Sequence, residues 1–346
     1  MNYASGFSSP SSTQSVFMRL SSNHLQSVRW LIAAIAGGYA LISAANFVDA
    51  AERVNYLLPA PLSAPAFAPF VIAQQQALYE KAGLEVTFSQ RKGGFAVGEA
   101  LANGEGDLGG ASGDTPILLV NKGLPVKGVA LLGGKSFLTL ISRQESQVDY
   151  SSLAGKRLGV PSFKDVSYYA LNDMTKRNPG SLPVIVEMSP PQLWAALAAD
   201  KLDGFVGTID WGVQAEKLGA HLNLISLDHF YPAMAQSILA SNQEIARHPE
   251  RIKAFVQATL VAIDEIRRHP EQAAAIYRQG MPDTPYSHAE LTRIFQLFSE
   301  HVYASQSVAG TFDPTRMQQM QAAYQKLGLV NAQVPLTDLY SNKFVE

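Results

Sequence analysis

The chain has 346 residues, 47% of them hydrophobic and 16% charged, a balance typical of a globular protein of one to three domains. A formal net charge of -2 provides no strong basic field for nucleic acid, and the absence of Cys excludes disulfides, thiol catalysis and iron–sulfur clusters. Since the seven His include no H-x-x-x-H pair, the sequence predicts no metal site and no cofactor.

The first fifty residues differ from the rest of the chain. Residues 1–17 are rich in Ser, and an uncharged run from Trp30 to Val48 then leads into small residues. The run follows two Arg, so residues 1–50 are predicted to be a secretory signal peptide cleaved after Ala50, with Met18 as an alternative start. An exported protein without Cys fits the periplasm. A transmembrane anchor is the alternative, because the run is long enough to span a bilayer.

Two similar series of strands and helices follow. Their predicted order is strand 53–59, loop 61–67, helix 68–83, strand 84–90, helix 93–104, strand 107–112, helix 114–123 and strand 126–132, and then strand 155–161, helix 166–180, strand 182–188, helix 190–201, strand 202–208 and helix 210–219. The alternation predicts α/β layers with largely parallel sheets.

A sequence pattern recurs between the two series at a constant offset. Residues 100–114 and 196–210 share the pattern A-L-A-x4-D-x4-[ST]-x-D, in which every matched position is displaced by 96 residues. Because the pattern lies within the same order of elements, we interpret it as a structural repeat that produces two lobes. Residues 137–146 and 233–242 connect the lobes and are expected to be paired hinge strands, and long amphipathic helices broken at Pro249 and Pro270 follow.

The stretch "NGEGDLGGASGDTP" (103–116) contains two motifs that suggest enzymes. A G-x-G-x-x-G dinucleotide fingerprint requires a strand before it and a helix after it, whereas here a predicted helix comes first. A nucleophile elbow around Ser112 requires Gly where Asp114 stands. Neither motif is therefore expected to act as a phosphate loop or a hydrolase elbow.

The strand-to-helix junctions at Asp114 and Asp210 are the stronger candidates for a site. Ligands of open α/β sheets sit beyond the carboxyl ends of strands, where the next helix begins. Helix capping alone also explains an Asp at either position. Two equivalent junctions in two hinged lobes predict a shared cleft.

Three stretches resemble a known family: 68–94 "APFVIAQQQALYEKAGLEVTFSQRKGG", 100–132 "ALANGEGDLGGASGDTPILLVNKGLPVKGVALL" and 152–163 "SLAGKRLGVPSF". They are similar to periplasmic substrate-binding proteins of ABC importers, in the group that binds nitrate, sulfonates, taurine and thiamine pyrimidines. The resemblance covers roughly residues 53 to 280.

The resemblance implies an α/β protein with the type II periplasmic-binding-protein fold, in which hinge strands join two lobes. Lobe 1 is expected from residues 52–140 plus 240–346, and lobe 2 from 145–236. The implied protein is a monomer that binds a small molecule and delivers it to an ABC permease and its ATPase, without enzymatic activity. Enzymes that make thiamine pyrimidine share this fold, but none of the expected site loops contains the His that their chemistry needs. A sensory domain with an uncleaved N-terminal helix is a third alternative.

Carried over by position, the resemblance predicts a pocket built from loops at the ends of four strands and from one helix start. The predicted ligand-binding residues are Ser63, Phe67, Gly94, Ser112, Asp114, Thr115, Ser162, Phe163, Tyr168, Thr208, Asp210 and Trp211. Packing alone also explains the aromatic residues among them. Two carboxylates and no Arg in the loops favour a zwitterion or an amino-bearing heterocycle over a simple anion.

Overall fold

The computed structural model describes residues 51–144, 153–177, 180, 182–229 and 231–346, so the predicted signal peptide over 1–50 lies outside the described residues. Along the described chain the elements follow in the order β1 (Glu52–Leu58), α1 (Ala68–Gln75), α2 (Leu78–Lys81), β2 (Leu84–Gln90), α3 (Gly94–Ala102), β3 (Leu108–Ser112), α4 (Thr115–Asn121), β4 (Val126–Leu131), β5 (Thr139–Arg143), β6 (Arg157–Val160), α5 (Val166–Arg177), β7 (Val184–Glu187), α6 (Pro190–Ala198), β8 (Gly204–Gly207), α7 (Ile209–Lys217), β9 (Leu222–Ser226), β10 (Gln236–Ser241), α8 (Asn242–Arg247), α9 (Pro249–Arg268), α10 (Pro270–Gly280), α11 (His288–His301), α12 (Pro314–Leu327) and α13 (Leu336–Leu339).

The strands form two five-stranded sheets of the same design. The first has the order β2-β1-β3-β10-β4 and the second the order β7-β6-β8-β5-β9. In each sheet the first three strands are parallel, and the fourth runs antiparallel to both of its neighbours. The predicted α/β fold is confirmed. Each sheet with the helices that cover it is called a lobe below.

The repeat detected in the sequence is also present in the structure. Helices α3 and α6 begin and end at positions 96 residues apart. After each helix an Asp ties the turn to the second strand of its sheet, β1 or β6: Asp107 Oδ2 accepts from the N–H of Asn55 at 2.7 Å, and Asp203 Oδ2 accepts from the N–H of Arg157 at 2.8 Å. These aspartates hold equivalent turns in the two lobes.

The glycine-rich stretch is a helix end followed by a strand, as the sequence suggested. Gly104 has a φ of 76°, and its N–H donates to the carbonyl of Leu101 at 3.1 Å, which closes α3. Asp200 holds the equivalent left-handed position after α6, with a φ of 58°. A Cβ on Gly106 would lie only 2.6 Å from Leu57, so this glycine allows close packing against β1.

The expected pairing of two hinge strands is wrong. Strand β5 lies between β8 and β9 in the second sheet, whereas β10 lies between β3 and β4 in the first. Each strand has a partner on both sides, so neither has a free edge with which to pair the other. The segments that cross between the lobes precede these strands, and they meet where the N–H of Phe137 donates to the carbonyl of Met234 at 3.5 Å.

Arg316 in α12 connects the two crossing segments. Its guanidinium donates to the carbonyls of Gly134 and Ala233, one in each segment, and to the carboxylate of Asp228. Burial lowers the pKa of Arg316 to about 10, which still leaves it charged at neutral pH. The C-terminal part of the chain therefore holds the hinge together.

The C-terminal helices cover lobe 1. Helices α9 and α10 begin at Pro249 and Pro270, where the missing N–H of proline has no helical partner to lose. The ring of Phe255 in α9 stacks on Tyr56 of β1 at 5.1 Å and on Tyr79 of α2 at 4.9 Å. No helix in the described residues is both long and apolar enough to be a membrane span.

Candidate functional site

A cavity of about 500 Å³ lies between the lobes. Its walls come from the carboxyl ends of parallel strands in both sheets, through Pro59 after β1, Ser112 at the end of β3, Pro161 after β6 and Thr208 after β8. This is where an open α/β sheet exposes helix N-termini and loop side chains to a ligand. The crossing segment before β5 also reaches it, because Phe137 and Leu138 are among the lining residues, as is Gln236 at the start of β10.

In lobe 1 the cavity contains a carboxylate whose two oxygens both have partners. Asp114 is 2% exposed; Ser112 Oγ donates to its Oδ1, and the hydroxyl of Tyr324 in α12 donates to its Oδ2. Burial raises the pKa of Asp114, and the two hydroxyl donors oppose that rise. Asp114 precedes α4 at the N-cap position, but its side chain caps no N–H. Helix capping therefore does not account for it.

Lobe 2 contributes the equivalent carboxylate in a different state. Asp210 is 3% exposed, and its Oδ2 accepts from the hydroxyl of Tyr286 at 3.5 Å. Its Oδ1 is buried without a hydrogen bond of good geometry to any described residue. Burial raises the pKa of Asp210 from 3.8 to about 6, although donors that include Thr208 lower it. Thr208 occupies the N-cap of α7, so the interpretation of Asp210 as a cap is wrong.

Much of the remaining wall is aromatic. The aromatic residues that line the cavity are Phe67, Phe95, Phe137, Tyr169, Trp211 and Tyr324. The ring of Trp211 lies 6.3 Å from that of Trp194 and 6.5 Å from that of Phe205, which support it from lobe 2. Gly207 leaves the room for this ring, because a Cβ there would lie 2.3 Å from Trp211 Cε3. These aromatic side chains provide surfaces on which a flat ring can stack.

The positive groups of the site are two exposed lysines, Lys92 and Lys164. No Arg and no His is among the described residues that line the cavity. Within the described chain, no group of three or more His, Cys, Asp or Glu is arranged to hold a metal ion. The chemistry of the walls is therefore that of buried carboxylates, hydroxyls and aromatic rings.

Eight of the twelve predicted residues line the cavity together: Phe67, Gly94, Ser112, Asp114, Thr115, Thr208, Asp210 and Trp211. The other four are not among the lining residues. Ser63 is exposed, Ser162 Oγ accepts from the N–H of Lys164, and Phe163 and Tyr168 pack edge to face on each other at 5.1 Å. Tyr169 takes the place in the wall that was expected for Tyr168, because successive residues of α5 point in different directions.

Several lining residues were missed by sequence reasoning. Tyr324 lies 210 residues beyond Asp114, Phe137 lies in the crossing segment before β5, and Gln236 is the first residue of β10. No local pattern connects them to the strand ends. Phe95 could have been predicted, because it follows Gly94 at the start of a helix that the sequence already placed at the site.

Two α/β lobes with this strand order and a cavity between them are the fold of periplasmic binding proteins. The aliphatic sulphonate binding protein SsuA of Escherichia coli has it, with a TM-score of 0.66 at 17% identity over 86% of this chain and 94% of that one. The nitrate-binding protein NrtA of Synechocystis has a TM-score of 0.64 at 11% identity, over 84% and 86% of the two chains.

The chain belongs to the NMT1/THI5-like family, whose model matches residues 64–273. Among curated proteins it is similar to the riboflavin-binding protein RibY of Chloroflexus aurantiacus. The two are 24% identical over 288 residues, which cover 81% of this chain and 82% of RibY.

Proposed function

We propose that this protein is the solute-binding component of an ABC importer. It captures a small polar organic molecule in the cavity between its lobes and delivers it to a membrane permease driven by an ATPase. The fold of the solved sulfonate and nitrate binders and the family membership support this role. We also propose that the protein works in the periplasm as a monomer after cleavage of the predicted signal peptide, which N-terminal sequencing of the exported protein tests.

One observation carries the proposal for the ligand: Asp210 lines the cavity, and its buried Oδ1 has no well-formed hydrogen bond among the described residues. A buried carboxylate is stable only when its oxygens accept hydrogen bonds or when it is protonated. A ligand that donates an N–H or O–H to Oδ1 supplies what the chain does not. Nitrate or a plain sulfonate has no such donor at neutral pH, and the carboxylates repel it.

Two ligand classes satisfy this requirement. A taurine-like zwitterion would place its ammonium near Asp210 and its sulfonate near the backbone N–H groups around Gly94 and Thr115. An aminopyrimidine or a related flat heterocycle would donate its N–H to the same carboxylate and stack on Trp211. The aromatic walls and the similarity to RibY favour the flat heterocycle. We propose the eight residues that line the cavity as its binding residues.

The alternative of a pyrimidine-synthesising enzyme on this fold has less support. Proton transfer at neutral pH most often uses His, and no His is among the described lining residues. A ligand recovered chemically unchanged after incubation with the protein supports a binder, whereas conversion of the ligand supports the enzyme.

The proposed function is tested by thermal shift and then by isothermal titration with a panel of taurine, methanesulfonate, nitrate, riboflavin and aminopyrimidines. A ligand that binds the folded state raises the melting temperature by mass action. We expect a compound with an N–H donor to bind, and Asp210→Asn to weaken its binding. Tight binding of nitrate or methanesulfonate alone would contradict the ligand class. No binder in the panel or in a wider metabolite library would contradict the function.

A further inference from the structure

Helix α7 reaches from the cavity to the opposite lobe. Its first turn carries Asp210 and Trp211 in the cavity wall, and its last two residues are Glu216 and Lys217. The helix belongs to lobe 2, where it packs against β5 and β9. Its C-terminal end instead meets α11, which packs on α9 and α10 and through them on α1 of lobe 1. One short helix therefore joins the site to an interlobe contact.

The contact contains two ion pairs, together with a hydrogen bond from Lys217 Nζ to the carbonyl of Pro285 at 3.4 Å and the one from Tyr286 to Asp210. Arg293 binds Glu216 with both arms of its guanidinium: Nε donates to Oε2 at 2.9 Å and Nη2 donates to Oε1 at 2.7 Å. Lys217 Nζ lies 3.3 Å from Glu290 Oε1. Both pairs connect lobe 2 to lobe 1, and both lie outside the described lining of the cavity.

The lobe 1 side of this contact is held in place by its own helix start. Glu290 is the third residue of α11 and accepts from the N–H of Ser287 at 2.6 Å, while Ser287 Oγ accepts from the N–H of Glu290 at 3.2 Å. This capping box holds the Glu290 side chain in position independently of its ion pair with Lys217. Hydrogen bonding to Glu216 raises the pKa of Arg293, so the guanidinium stays charged over the working range of pH.

We propose that Arg293 and Glu290 are positioning residues for ligand capture, a role that rests on the proposed solute-binding function. By holding the C-terminal end of α7 against lobe 1, the two ion pairs increase the ratio of closed to open molecules and bring Asp210 and Trp211 to the ligand. Neither residue touches the ligand. Their contribution is sensitive to salt, because the pairs are partly exposed.

The effect of each pair follows from the usual strength of exposed ion pairs. Loss of one pair is expected to lower the closed-to-open ratio about two- to fivefold, and loss of both about tenfold. The apparent affinity for a ligand of the closed form falls by the same factor when that form is the minor one. Most of this loss is expected in a faster dissociation rate.

The test uses the full exported chain without ligand, so that the ratio of closed to open molecules can be measured even if no solute is found. The chain has no Cys, so Glu80→Cys in lobe 1 and Lys201→Cys in lobe 2 accept a donor and an acceptor dye specifically. Single-molecule energy transfer then counts closed and open molecules at about 0.05 M and about 0.5 M NaCl. We expect Arg293→Ala to lower the closed fraction at low salt and to remove most of its salt dependence.

The control and the rescue separate positioning from general stability. Arg268→Ala breaks a more exposed ion pair, with Asp264 inside lobe 1, and is expected to leave the ratio unchanged. The charge exchange Glu216→Arg with Arg293→Glu is expected to restore the ratio. An Arg293→Ala protein with the wild-type ratio at both salt concentrations overturns the proposal, as does an equal loss in Arg268→Ala. Failure to find any ligand would instead contradict the proposed function, and the energy-transfer measurement, which needs no ligand, would remain valid.

Discussion

The two lobes place equivalent aspartates in one cavity but treat them differently. Asp114 of lobe 1 has partners for both oxygens, Ser112 and Tyr324, whereas Asp210 of lobe 2 has one oxygen without a well-formed hydrogen bond among the described residues. The repeated fold thus contains one carboxylate whose oxygens both accept hydrogen bonds from the protein, and one with an oxygen that can accept a hydrogen bond from a ligand. The position one residue later differs as well, with Thr115 in lobe 1 and Trp211 in lobe 2.

The contrast teaches that equivalent positions in a repeat need not share a role. In lobe 1 the aspartate connects the site to the C-terminal helix α12. In lobe 2 the aspartate and the tryptophan form a polar and an aromatic surface side by side. We infer that lobe 2 supplies most of the discrimination between ligands, while lobe 1 supplies a rigid wall.

The largest expected effect separates the two aspartates directly. Asp210→Asn should weaken binding of the best panel ligand about 30-fold or more, because the ligand donor then faces a neutral amide. Asp114→Asn is the matched control and should change affinity less than about fivefold, because Ser112 and Tyr324 already occupy its oxygens. Isothermal titration measures both. Equal losses in the two variants would show that the comparison between the lobes is wrong.

Asp210→Asn, which should weaken ligand binding, should by contrast increase the free energy of unfolding, and this increase should depend on pH. Because burial raises the pKa of Asp210 from 3.8 to about 6, the folded protein keeps a proton that the unfolded chain has released. The stabilisation from this retained proton is fully present below the unfolded pKa of 3.8. It is lost as the pH rises through the folded pKa of about 6, which lowers the free energy of unfolding by roughly 3 kcal/mol. Asp210→Asn should flatten this slope and be more stable than wild type at neutral pH.

Urea unfolding at several pH values between about 4 and 7 tests this prediction. Asp114 contributes a slope of the same sign, since burial raises its pKa too, so a reduced slope and not a vanished one is expected. A variant with the wild-type slope would show that Asp210 is ionised in the folded protein throughout.

A third experiment compares the two tyrosines that face the aspartates. Tyr324→Phe removes a buried donor from Asp114 and should lower the free energy of unfolding by about 1–3 kcal/mol. Tyr286→Phe removes a hydrogen bond of 3.5 Å to Asp210 and should lower it less. The reverse order would mean that Asp210 depends on its tyrosine more than Asp114 does.

The smallest expected effect concerns the residues after the aspartates. Trp211→Ala should weaken a flat ligand about tenfold by removing a stacking surface, and it should weaken taurine much less. Thr115→Ala at the equivalent position of lobe 1 should change affinity less than about twofold. Far-ultraviolet circular dichroism confirms that both variants fold. If Trp211→Ala retains full affinity for a flat ligand, the ring is a packing residue only.

Local sequence pattern was sufficient for the lobes, their repeat and the strand ends that meet at the cavity. The constant offset worked because Asp107 and Asp203 make the same hydrogen bond to equivalent strands, β1 and β6, of the two sheets. The partners of the buried carboxylates were not predictable, since Tyr324 in α12 and Tyr286 in the loop before α11 lie far along the chain. The two connecting strands were misplaced because an apolar strand has the same pattern whether it pairs with its counterpart or inserts into a sheet.

The position of β10 has a consequence for how the molecule is made. Strands β3 and β4 flank it, and Ser112 pairs with Gln236, so the first sheet lacks this internal strand until residue 241 has been synthesised and released. The second sheet, with all its strands between residues 139 and 226, is complete earlier. The lobe that is synthesised first is therefore expected to mature last, and in the meantime it exposes two bare strand edges to aggregation or to chaperones.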